Sequence, residues 1–203
     1  MPSNRWSESS KLLPRRSVLA AGAGCAAWPW VAAAQGAVDI PALVQQGGLV
    51  VAMRHATAPG TFDPPGFRLG DCSTQRNLSE EGRSQARRAG QWFAQRGLRP
   101  AAVRSSPWCR CVDTATLAFG PPEVWAALGS PHGAPETTGA AHLKELRAAL
   151  EKASTRKGQF EVWVTHMFVL QDLAGTNTAS AEALLLRAEP ESEVRVIARL
   201  PAS

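Results

Sequence analysis

The chain has 203 residues, 44% of them hydrophobic, and a formal net charge of +5. Arg5, Lys11, Arg15 and Arg16 against Glu8 concentrate that charge in the first 34 residues, which leaves about +2 on the rest. So mild a basic character gives no support to a nucleic-acid partner, and about 169 residues suffice for one ordinary domain with its own core.

Pro14-Arg15-Arg16-Ser17 is a twin-arginine pair followed by an Ala/Gly-rich apolar stretch that ends at Ala32-Ala33-Ala34. This layout predicts a Tat-type export signal over residues 1–34, a domain over residues 35–203 and a periplasmic or secreted location. The apolar stretch is too short and too rich in Ala and Gly for a membrane span, so no stable membrane insertion is expected after cleavage. The remainder keeps Cys72, Cys109 and Cys111. Either Cys72 bridges to one of the other two in an oxidising compartment, or all three fill apolar space as small buried residues. Cys109 and Cys111 are too close in sequence for a comfortable mutual bridge.

Gly48–Met53 is a continuous apolar run and predicts a strand buried on both faces. Residues 57–77 predict a long loop. Ser79, with Glu80 and Glu81 behind it, predicts a helix start, and Ala86, Ala89 and Phe93 share one face up to a stop at Gly97. Ala101-Ala102-Val103 predicts a short strand, and a helix follows from about Pro107 to Leu117. Residues 120–139, rich in Gly and Pro, predict an irregular excursion. Thr138 can cap a helix that runs to about Lys152, with Leu143, Leu146 and Leu150 on one side. Phe160–Val164 predicts a third strand, with a short helix over Phe168–Leu173. Ala183–Leu186 and Val194–Ile197 predict an edge hairpin. Strands alternating with helices predict an α/β, three-layer αβα sandwich with a mostly parallel central sheet.

Three predicted strands end on polar groups: Arg54-His55, Ser105-Ser106 leading to Arg110, and Thr165-His166. Were they parallel neighbours, their carboxyl ends would converge on one crevice. Guanidinium forks match phosphate oxygens, and a neutral imidazole can attack phosphorus. Arg110 near a helix start would add backbone N–H donors aimed at the same anion. Arg76 is a further candidate phosphate contact. Trp108 can line the pocket or pack beneath it. No pair of histidines or cysteines has metal-ligand spacing, so neither a metal nor another cofactor is expected.

Arg54-His55-Ala56, Ser105-Ser106-Pro107-Trp108-Cys109-Arg110 with Thr114-Ala115, and Val164-Thr165-His166 together resemble the motifs of the histidine phosphatase superfamily, the phosphoglycerate-mutase-like fold. Asn77-Leu78-Ser79-Glu80-Glu81-Gly82 is similar to the turn into that family's first long helix. The resemblance implies a phosphohistidine mechanism with His55 as nucleophile and Arg54, Arg110 and His166 on the phosphate. Ala56 stands where the family usually has glycine. The proton donor has no obvious counterpart; Glu123 and Glu136 after the second arginine, and Asp63 and Asp71 in the first loop, are the candidates. The resemblance thus implies an exported phosphatase acting on a phosphorylated small molecule or glycan. A non-catalytic phospholigand-binding protein is the alternative.

Overall fold

The apolar run Leu49–Arg54 forms β1 at the centre of a six-stranded sheet. The structure, a computed structural model, describes residues 38–130, 139–190 and 193–202. Residues 1–34, where the sequence predicts an export signal, lie outside the described residues, as do Thr138 and Glu136. The strands are β1, β2 (Ala102–Ser105), β3 (Glu123–Val124), β4 (Phe160–Thr165), β5 (Ala183–Ala188) and β6 (Val194–Leu200), in the spatial order β3-β2-β4-β1-β5-β6. The first four are parallel, and β5 and β6 close one edge as an antiparallel pair.

The helices are α1 (Ile40–Gln46), α2 (Glu80–Ala94), α3 (Cys109–Phe119), α4 (Ala140–Ser154) and α5 (Met167–Ala174). Period-two alternation splits the strand side chains between two layers. Leu49, Val51 and Met53 of β1 join Val162 and Val164 against Ala89, Phe93 and Ala115 of α2 and α3. Val50, Ala52 and Trp163 face the other way, onto Leu146 and Leu150 of α4 and Val169, Leu170 and Leu173 of α5. The result is the expected three-layer α/β sandwich.

Local signals act where they were expected. The Ser79 side chain accepts from the Gly82 N–H and caps α2. Gly82 itself is needed for a close approach, because a Cβ there would lie 2.1 Å from the Thr57 carbonyl oxygen. Two elements depart from expectation. α1 has no counterpart in the sequence reading; the Asp39 side chain caps it through the Ala42 N–H, and a proline lies in its first turn. The stretch expected to be irregular after residue 120 holds β3 and a 3-10 turn, Ala126–Leu128.

Cys72 and Cys109 form a disulfide, and Cys111 is free and buried. The bond ties the loop between β1 and α2 to the first residue of α3. Gln75, buried in the same loop, reinforces it: its Oε1 accepts from the Cys109 N–H at 3.0 Å, and its Nε2 donates to the Arg68 carbonyl at 2.9 Å. With the two cysteines 37 positions apart, closing the loop restricts the unfolded chain by roughly 2–4 kcal/mol. Replacing Cys72 and Cys109 by serine is therefore expected to lower the thermal midpoint by several degrees. Calorimetry of the variant, and of wild type with and without reductant, checks this; equal midpoints would show that the bond contributes nothing.

Candidate active site

Arg54 of β1 pairs in register with Thr165 of β4, so the residues that follow each strand arrive side by side. The rings of His55 and His166 have centroids 5.5 Å apart and planes at 69°. The His55 backbone is fixed from both sides: its N–H donates to the Thr165 carbonyl at 2.9 Å, and its carbonyl accepts from Ala181 N–H at 3.2 Å. β2 adjoins β4, and the chain leaving it at Ser106 turns into α3, whose second residue is Arg110. Three strand ends of one sheet thus meet in one cleft, as the carboxyl edge of a parallel sheet allows.

The cleft has a volume of about 470 Å³, and Arg54, His55, Asp63, Arg76, Arg110 and His166 are among its lining residues. The His55 Nδ1 lies 2.7 Å from the Ala56 carbonyl oxygen. A carbonyl can only accept, so the ring proton belongs on Nδ1 and the Nε2 lone pair is free to act as a nucleophile. Ala56 donates its N–H to the Thr114 hydroxyl at 3.0 Å, and that hydroxyl donates to the Arg110 carbonyl at 2.7 Å. One threonine therefore links the residue after His55 to Arg110. Ala56 does not adopt a positive φ, so alanine is tolerated in the place of the family's glycine.

His166 is buried beside Ser106, whose Oγ is 2.8 Å from its Nε2, with Cys111 Sγ at 3.5 Å. Trp108 packs edge-on against His166 and stacks on Phe67, so it supports the cleft from behind. Its indole N–H donates to Asp63 at 3.2 Å.

The charge of the cleft comes from three guanidinium groups. Arg54 donates to the Thr178 carbonyl at 2.7 Å, and Arg76 to the Ala58 carbonyl at 2.6 Å and to that of Gly60. Arg110 is paired with Asp63 at 2.8 Å, and both side chains are buried. The Nε atoms of Arg54, Arg76 and Arg110 are all buried without a hydrogen-bond partner among the described residues. Buried donors left over in one cleft call for a ligand rich in acceptors.

Two amides at the start of α3 are engaged away from the anion: Trp108 N–H approaches Ser106 Oγ at 3.4 Å, and Cys109 N–H donates to Gln75. Of the carboxylates considered, Asp63 alone lines the cleft among the described residues. Its oxygens accept from Arg110, from the Arg76 N–H at 3.0 Å and from Trp108. Asp71 lies on the surface, bound to Arg68 and Ser73. Glu123 is exposed on β3 and paired with Arg104. Sequence reasoning gave no role to Phe62, Phe67, Ser130, Met167 or Phe168, which also line the cleft.

Burial pushes the His55 pKa down to about 3, with Arg110, Arg54 and Arg76 acting in the same direction against the Ala56 hydrogen bond. Burial likewise holds His166 well below the ordinary imidazole value, with His55 and Arg110 adding to it. His55 is thus held neutral across the physiological range. The linkage has a sign: unfolded histidines take up protons below about pH 6.5, while the native ones do not. Their contribution to stability is complete above that pH and is lost as pH falls toward 3. For ligand-free protein the expected slope is about 1.4 kcal/mol per pH unit for each histidine. Denaturation series between pH 7 and pH 4, with His55→Gln for comparison, check this; the same slope in both proteins would refute it.

Residues 51–130 match the family model of the histidine phosphatase superfamily (branch 1). Among solved structures, the protein histidine phosphatase SixA complexed with tungstate is 16% identical, with a TM-score of 0.56 over 75% of this chain and 96% of that one. A Mycobacterium tuberculosis open-reading-frame product is 18% identical, with a TM-score of 0.55 over 76% and 97%. Mycobacterial glucosyl-3-phosphoglycerate phosphatase is also 18% identical, with a TM-score of 0.54 over 76% and 99%. At such identities the likeness is one of fold. No curated protein sequence matches the chain.

Proposed function

We propose that the chain is a phosphatase of the histidine phosphatase superfamily, whose model matches residues 51–130, and that it hydrolyses phosphomonoesters through a phosphohistidine formed on His55. The observation that carries this reading is the meeting of a neutral imidazole, its Nδ1 fixed by a carbonyl, with three guanidinium groups, those of Arg54, Arg76 and Arg110, that line the same cleft. The Nε2 lone pair of His55 attacks phosphorus, and the P–O bond to the leaving group breaks with its electron pair on that oxygen. Water then attacks the phosphohistidine, the N–P bond breaks, and the pair returns to Nε2 with release of inorganic phosphate. Arg54, Arg76, Arg110 and His166 act where charge spreads over the equatorial oxygens, which is the main catalytic contribution in phosphoryl transfer. The guanidinium groups supply the positive charge, so the reaction as proposed is metal-independent.

We further propose that the protein is exported. The twin-arginine segment and the Cys72–Cys109 disulfide both support an oxidising destination. There the substrate is a small phosphoester or a phosphorylated glycan. Turnover of p-nitrophenyl phosphate by the purified protein tests the assignment. Vanadate binding without turnover of any activated ester would replace it with a phospholigand-binding role.

A further inference from the structure

The cleft is cationic at its floor and apolar at its rim. Phe62, Pro64 and Phe67 line it from the loop after β1, and Met167 and Phe168 from the start of α5. Phe62 is 73% exposed; of the three large hydrophobic side chains exposed among the described residues, it is the one that lines the cleft. The next residue, Asp63, is anchored by Arg110, Arg76 and Trp108, which fixes the backbone beside it. A solvent-facing phenyl ring at the rim of a phosphate cradle is suited to stacking on a flat ligand.

The same anchoring bears on leaving-group chemistry. The Asp63 oxygens all accept from N–H donors, and among the described residues no other carboxylate lines the cleft to hand a proton to a departing oxygen. An alcohol of ordinary basicity leaves poorly without a proton. A phenolic oxygen, with a pKa near 10, departs far more readily. Among the described residues, the polar side chains of the lining outside the phosphate cradle are Thr61, Ser130 and the occupied Asp63, few partners for the hydroxyls of a sugar.

Building on the phosphatase reading, we propose that the substrate is an aryl phosphomonoester whose ring stacks on Phe62, and not a phosphorylated sugar. His55 takes the phosphoryl group, the P–O bond electrons stay on the phenolic oxygen, and that oxygen takes its proton from water.

The test measures kcat/KM of the full chain on acetyl phosphate, 2-naphthyl phosphate and glucose 6-phosphate. Inhibition by phenylphosphonate and methylphosphonate then separates recognition from leaving-group reactivity. The expected results are a preference for naphthyl over sugar phosphate of about a hundredfold or more, combining stacking with easier departure, and tighter binding of phenylphosphonate than of methylphosphonate. Phe62→Ala should lower the naphthyl-to-acetyl ratio roughly three- to tenfold, the size of one aromatic contact. Equal use of glucose 6-phosphate, equal inhibition by both phosphonates, or an unchanged ratio in Phe62→Ala would overturn the proposal. If acetyl phosphate is inert while phenylphosphonate still binds more tightly in a Phe62-dependent way, the phosphatase reading fails and the aryl-ligand assignment stands.

Discussion

His55→Ala is expected to lower p-nitrophenyl phosphate turnover by on the order of 10⁴-fold or more, the scale seen when a covalent nucleophile is removed. The leaving group of this ester needs little protonation, so the assay reports on the nucleophile and the phosphate cradle and does not depend on a proton donor. Rapid acid quenching of wild type with a labelled substrate should trap a phosphoenzyme with the acid-labile, base-stable character of an N–P bond. The label should be absent from His55→Ala. His166→Ala and Arg110→Ala would also be slow, but their residual activity would rest on an intact nucleophile and so leave some label to trap. Turnover by His55→Ala at the wild-type rate, or a label that survives acid, would remove the phosphohistidine from the mechanism.

Asp63→Ala is expected to cost about 3–5 kcal/mol of stability, because it leaves the buried Arg110 guanidinium without its counter-charge. For a domain of this size that is a fall in thermal midpoint of roughly 10 °C. The loss should depend on phosphate. An anion in the cleft can take over the role of the carboxylate, and a ligand at a hundred times its dissociation constant returns about 2.7 kcal/mol. Melting curves of both proteins across a phosphate titration should therefore converge as phosphate rises. Parallel curves, or an Asp63→Ala midpoint within a degree of wild type, would mean that the Arg110–Asp63 pair contributes nothing. Asp63→Asn, which keeps an acceptor for Trp108, should lie between the two.

Much of the architecture was legible because its signals are local. β1 and β4 are buried on both faces; β1 appears as an apolar run and β4 as one broken by Glu161, and α2 carries both its cap and its apolar face in its own sequence. α1 was missed because seven residues give too little periodicity to register. β3 was missed because its two residues are a strand only through register with Arg104 and Ser105, and nothing in Glu123-Val124 foretells that pairing.

The cleft divides in the same way. His55 and His166 could be picked out because each follows a buried strand, and a sheet brings such ends together. Asp63 could not be ranked above Asp71 or Glu123, because its partners Trp108 and Arg110 lie 45 and 47 positions away. Asp71 finds Arg68 three residues back, and that local pairing keeps it on the surface. The α3 amides were misjudged for a related reason. Gln75, distant in sequence, claims one of them, and no pattern around Arg110 signals it.

The cystine between positions 72 and 109 joins the segment that supplies Arg76 and Asp63 to the helix that supplies Arg110. Reducing it would leave His55 in its strand with part of the surrounding guanidinium cage less firmly secured.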